Sequence, residues 1–177
     1  MKHVPIIRVF NREPIFIGRI PVITNSRVTI LLEKDCCDWT RLEQSIWEYY
    51  KQGVFLTLIT DRELPERIVW AASYSENNIL QINLNISVQN FPWVQKLIHL
   101  SNNCGLFTQV CFKSVTTQIK VHQVIDTLDR IYNSGSYEVI LDFKNLVIEN
   151  VTNYIQSFLY VVNLYCAPRK ILVHISI

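Results

Sequence analysis

Polar and reactive side chains in this 177-residue chain gather at a few short stretches that each follow an apolar run. The first is Glu33-Lys34-Asp35-Cys36-Cys37 and the second Thr60-Asp61-Arg62-Glu63. Asn83-Leu84-Asn85, Lys113-Ser114, Asp142 with Lys144, and His174 with Ser176 complete the set. Carboxylates at three such places, Asp35, Asp61 and Asp142, could serve acid–base chemistry, and Arg62, Lys113 and Lys144 could hold an anion. Adjacent cysteines are poor ligands for one metal, so Cys36 and Cys37 are weak candidates, with no Cys or His pair at a useful spacing beside them. Cys104 and Cys111 read as packing residues, as do His99 and His122 within helical stretches. His174 sits inside the last apolar run. Only four glycines occur, all isolated, which excludes a glycine-rich phosphate cradle, and no Gly-x-Ser-x-Gly elbow is present.

The elements that must position these residues are punctuated by glycine. Gly53, Gly105 and Gly135 each follow a helix-like stretch and precede a β-branched or aromatic run. Glycine just past a helix end takes the left-handed conformation without a Cβ penalty, so the three mark helix-to-strand junctions. Strands are predicted at 27–33, 54–60, 79–86, 106–112, 137–143 and 170–177. Their starts lie about 25–33 residues apart, as a strand, a helix and two short loops require. The runs are nearly continuous and apolar, which predicts strands covered on both faces. On that reading Leu58→Asp and Ile140→Asp would each bury an unpaired carboxylate and unfold the protein.

Five stretches between them carry the three-to-four residue period of amphipathic helices. Asp38 is the expected N-cap of the first, and Pro65 and Pro92 open the second and third. Regular strand–helix alternation implies parallel βαβ units. The expected fold is α/β, a partial (β/α) barrel of about six parallel strands with helices outside, or else a doubly wound open sheet. Residues 1–26, with three prolines and two short apolar segments, read as an extension or edge hairpin ahead of a 27–177 domain. In such folds chemistry sits beyond the carboxyl ends of the strands, where the polar stretches fall.

Composition bounds the class. Hydrophobic residues make up 49% and charged residues 18%, as in a globular domain. The formal net charge of +2 gives nucleic acid little support beyond Lys113, Lys120 and Lys144. No apolar stretch is long enough for a bilayer span, and the N-terminus lacks the apolar core of a signal peptide. Five cysteines without regular spacing fit a reducing, cytoplasmic compartment. Trp47 and Trp70 lie off or at the edge of the apolar helix stripes and could mark a partner interface.

The run "RLEQSIWEYYKQGVFLTLITDRELPERIVWAASYSENNILQINLNI" resembles the middle of a radical S-adenosylmethionine barrel, near the spore photoproduct lyase-like branch. "LIHLSNNCGLFTQVCFKSVTTQIKVHQVIDTLDRIYNSGSYEVILDF" continues the likeness, which spans residues 28–145. The resemblance implies that Thr60, Arg62, Asn83, Asn85 and Lys113 face the family's cofactor cavity. The family's Thr-Lys-Ser-like turn stands here as Thr60-Asp61-Arg62, and its Cys-x3-Cys-x2-Cys loop is missing from this sequence. Three thiolates are needed to hold such an iron–sulfur cluster, and no one loop offers them. The resemblance therefore implies an inherited barrel without the cluster, and neither S-adenosylmethionine nor an iron–sulfur cluster is expected as a cofactor. The apolar stretch "ILVHISI" ends the sequence and leaves a strand edge for another subunit, a second copy or the N-terminal segment to cover. The expected function is a non-catalytic binding or structural subunit of a larger assembly. The alternatives are an enzyme with a strand-end acid–base site acting on an anionic substrate, and a nucleic-acid-associated protein.

Overall fold

The computed structural model describes residues 6–9, 27–32, 38–85, 91–113, 115, 120–144 and 146–176, with Ile6–Val9 and Phe91 described by their backbone alone. Two compact units emerge, Met1–Ile82 with Lys96–Thr108 and Asn83–Gln95 with Gln109–Ile177.

The first unit carries β1 (Ile6–Val9), β2 (Arg27–Leu32), β3 (Phe55–Thr60) and the start of β4 (Ile79–Asn85). All pair in parallel and in chain order. Its helices are α1 (Trp39–Lys51), α2 (Glu66–Ser73) and most of α3 (Phe91–Cys104). The second unit carries most of β5 (Phe107–Lys113), then α4 (Val121–Ser134), β6 (Glu138–Asp142), α5 (Val151–Arg169) and β7 (Leu172–Ser176). Here β5, β6 and β7 are again parallel neighbours. This is the expected α/β architecture of parallel strands alternating with five helices. β1 adds a parallel strand at the β2 edge. The rest of the 1–26 segment, where a hairpin was expected, lies outside the described residues.

The three glycines act as expected. At Gly53 (φ 69°) the amide donates to the Tyr50 carbonyl and the Val54 amide to that of Tyr49. This pairing closes the free carbonyls of α1 and turns the chain into β3. Gly105 and Gly135 repeat it. Lys170 does so without being glycine: its φ is 56°, and the Lys170 and Ile171 amides donate to Ala167 and Cys166. Asp38 caps α1, its carboxylate accepting the Arg41 amide at 3.1 Å. Pro65 stands one position earlier than expected, as the N-cap of α2.

The strands differ from the expectation in one respect. In β2, β3 and β4 burial alternates strictly. Val28, Ile30, Leu56, Leu58, Leu80 and Ile82 are buried, whereas Thr29, Thr57, Ile59 and Gln81 on the other face are half-buried. β6 repeats the pattern, with Val139 and Leu141 buried and Glu138 and Ile140 half-buried. One face is packed and the other is open, because an apolar run is compatible with either arrangement and only burial separates them.

The core is also held by a buried amide. Asn78 Oδ1 accepts the Leu56 amide at 2.7 Å and Asn78 Nδ2 donates to the Ala72 carbonyl at 2.9 Å, fastening the start of β3 to the end of α2. Above the open face, Arg27 donates to the Leu56 carbonyl, to Thr57 Oγ1 and to the Asn77 carbonyl.

Four stability outcomes are expected from denaturant melts. Leu58→Asp abolishes cooperative unfolding, since Leu58 is buried, while Ile140→Asp stays folded because its side chain reaches the open face. Asn78→Ala costs roughly 2–4 kcal/mol, by leaving one buried donor and one acceptor unpaired. Lys170→Gly stabilises by about 0.5–1 kcal/mol, because relief of the left-handed Cβ penalty exceeds the added entropy of the unfolded chain.

Candidate functional site

The register of β5, β6 and β7 sorts the second unit's side chains into two faces. Cys111 lies beside Ile140, and Ile140 beside His174; Asp142 lies beside Ser176. Alternation puts Gln109, Cys111 and Lys113 on the same face as Glu138, Ile140 and Asp142, and as His174 and Ser176. Val110, Phe112, Val139 and Leu141 occupy the opposite face and are fully buried.

Two polar groupings result. Glu138 Oε1 accepts Gln109 Nε2 from β5 at 2.6 Å and meets His174 Nε2 from β7 at the same distance. A carboxylate only accepts, so the imidazole presents Nε2–H to it and leaves Nδ1 for another partner. Glu138 is largely shielded, whereas about half of the His174 side chain is exposed. This is an imidazole oriented by a carboxylate, the arrangement used for general acid–base chemistry.

The second grouping is at the strand ends. Lys113 Nζ lies 3.3 Å from Asp142 Oδ2, and Asp142 Oδ1 accepts the Lys144 amide at 3.0 Å. The Asp142 main-chain carbonyl accepts the Val115 amide, and the next amide, of Phe143, donates to the Ser176 carbonyl. Asp142 is only 6% exposed, so these bonds satisfy a buried charge. Burial pushes the neighbouring Cys111 thiol up to about 11, with Lys113 and Lys144 partly opposing and Asp142 adding to the rise. A neutral, buried thiol is a packing group rather than a nucleophile.

The first unit holds the other rim residues. Thr60 is fully buried, and its hydroxyl both donates to the Arg62 carbonyl and accepts the Arg62 amide. Arg62 Nε pairs with Asp61 Oδ1 at 3.4 Å, while Arg62 Nη2 is buried without a hydrogen-bond partner. Past this turn, Glu63 pairs with Lys96 Nζ at 2.9 Å beside a cavity of about 590 Å³ also lined by Trp39 and His99. The Glu63 carboxylate raises the Lys96 ammonium above its ordinary range.

The structure therefore brings Lys113, Asp142 and the Lys144 backbone together, and Asp61 with Arg62. Asn83 is half-buried and Asn85 exposed on β4. Trp47 and Trp70 line one groove in the first unit. Asp35, Cys36 and Cys37 lie outside the described residues. Among the described residues no three His, Cys, Asp or Glu side chains converge as a metal site, and Cys104, Cys111 and Cys166 are free thiols. Sequence reasoning missed the Gln109–Glu138–His174 row. Its signal was one polar residue at an inner position of each of three apolar runs, which becomes a row only when the register is known.

No protein-family model matches this sequence, and no curated protein matches it either. Solved structures do. The crystal structure of Streptococcus suis SuiB superposes with a TM-score of 0.62 at 14% identity, over 85% of this chain and 38% of SuiB. SuiB bound to S-adenosylmethionine gives 0.61 at 14% identity, over 85% of this chain and 37% of SuiB. SuiB bound to its precursor peptide SuiA gives 0.60 at 15% identity, with the same coverage of both chains. This chain thus spans less than two-fifths of the SuiB length. At such identity the likeness concerns the fold alone, which this chain shares with SuiB.

Proposed function

We propose that this chain is a non-catalytic binding or structural subunit of a larger assembly, built on a radical-S-adenosylmethionine-like barrel without the cluster site. The observation that carries the reading is the outer face of α5. Tyr160 is 69% exposed and Leu164 61%, with Val161 between them also exposed. Arg169 is the only charged residue in the 19-residue helix. A contiguous uncharged apolar face of this kind is typical of a surface that another polypeptide covers. Leu172 and Ile175 are exposed on the two faces of β7, and the β7 edge is the place for a second subunit or a second copy. The absent Cys-x3-Cys-x2-Cys loop supports the same reading. Placement near the spore photoproduct lyase-like branch, loss of the cluster and a cytoplasmic setting belong to this proposal. Among the described residues no helix is long and apolar enough to cross a membrane.

A second reading is favoured by the Glu138–His174 pair. An oriented imidazole on an open polar face, with Lys113 and Asp142 on that face, suits acid–base chemistry on an anionic substrate.

The two readings separate experimentally. Protein isolated from its native source is expected to elute in a larger assembly, carrying neither iron nor S-adenosylmethionine after anaerobic handling. A Tyr160→Lys, Leu164→Arg double variant should elute alone with an unchanged melting curve. A solitary native protein that binds both cofactors would sink the subunit reading. Turnover lost at least a hundredfold in His174→Ala, with assembly intact, would establish the enzymatic one.

A further inference from the structure

Helices α1 and α2 of the first unit pack side by side, and a groove of about 490 Å³ runs between them. Its walls are aromatic. Trp47 projects from α1, Trp70 from α2, and Tyr74, one turn further on, from the C-cap of α2. Buried Ala71 forms the floor. Trp70 is 53% exposed and Tyr74 54%. None of these residues takes part in the preceding proposal, and the inference goes beyond it.

The rings are held in place without a ligand. Trp47 meets Tyr74 edge to face with centroids 4.8 Å apart, and Tyr50 at 5.9 Å; Tyr50 meets Tyr74 at 6.3 Å. Such mutual packing fixes the side chains in advance, which lowers the entropy lost on binding. It also leaves no space among the three rings for an enclosed cation, since the rings already touch one another. What remains open is a set of flat apolar faces along a groove, with an exposed tryptophan, the residue type most enriched at binding hot spots.

Charge narrows the occupant. The groove is flanked by Glu43, Glu66 and Arg67. Arg67 Nε lies 3.8 Å from Glu43 Oε2, so this pair is internally compensated and Glu66 leaves the groove net negative. A negative rim repels a phosphate backbone, although stacked aromatics alone would suit single-stranded nucleic acid. The same rim attracts a basic residue. Proline-rich segments dock in aromatic-lined grooves, and the polyproline II helix is already extended, so little entropy is lost on docking.

We propose that the α1–α2 groove binds a proline-rich segment in the polyproline II conformation, with prolines against Trp47, Trp70 and Tyr74 and an adjacent basic residue at Glu66. The probe is a synthetic decaproline peptide ending in arginine, titrated into the intact chain by calorimetry and by NMR of the tryptophan indoles. Saturable one-to-one binding is expected, with the indole signals of Trp47 and Trp70 moving and that of Trp93 unchanged. Trp70→Ala should weaken binding at least tenfold. Glu66→Gln should weaken the arginine-bearing peptide about threefold, the scale of one exposed ion pair, and leave plain decaproline unaffected. Should Trp70→Ala fail to melt like the parent, the indole shifts in the unaltered chain decide the matter. Absence of binding at millimolar peptide would overturn the proposal. So would unchanged affinity in a folded Trp70→Ala, indole signals that stay still, or tighter binding of an oligothymidylate than of the peptide.

Discussion

Parallel pairing with one covered face is the constraint on which the rest of this structure depends. In a parallel ladder every side chain's direction follows from the register, and a slip of one residue would exchange the two faces of a strand. In the first unit that register places Leu56 beside Val28, and Leu58 beside both Ile30 and Leu80. These columns form the packed face. The intervening columns, Thr29 with Thr57 and Ile59 with Gln81, are left on the open face. Each strand must return by a helix, and α1 buries Leu42, Ile46 and Tyr49 on its inner face. The helix ends then fix strand starts. Three glycines and Lys170 reverse the chain with the same pair of hydrogen bonds, so the handover from helix to strand depends on backbone geometry rather than on any side chain.

Much of this was legible in the sequence, for reasons that can be named. A glycine after an amphipathic stretch has a local cause, and Gly53, Gly105 and Gly135 all adopt the left-handed conformation they were read to need. Asp38 as a cap is equally local. The handedness of each strand's faces is not local. "VFLTLIT" contains only one clear polar type, threonine, and threonine is at home on either face of a strand. Phe55, Thr57 and Ile59 thus looked as enclosed as Leu56 and Leu58, although they line the open face. The same ambiguity made Ile140 look like core, whereas Leu141 is the fully buried neighbour. Lys170 was illegible for the opposite reason: its sequence neighbourhood carries no glycine to announce a left-handed residue.

The candidate site shows the same division between local and long-range information. The rule that chemistry lies beyond strand ends selected Thr60, Asp61, Arg62, Lys113, Asp142 and Lys144 directly from the sequence. The structure gives several of these a fastening role. The Thr60 hydroxyl closes its own turn, and Asp142 is occupied by Lys113 and the Lys144 amide while its carbonyl accepts the Val115 amide. Buried polar groups at strand exits need such partners, because each unpaired one would cost more than a typical hydrogen bond gains. The residues that keep an unused polar atom facing outward lie one or two positions back along the strands. His174 is the clearest: Glu138 holds one ring nitrogen, and Gln109 holds Glu138. That row exists only because three parallel strands bring positions 109, 138 and 174 side by side, from parts of the chain that share no local pattern. The sequence displays polar strand ends openly, whereas the exposed His174 imidazole acquires its Glu138 and Gln109 neighbours only through the register.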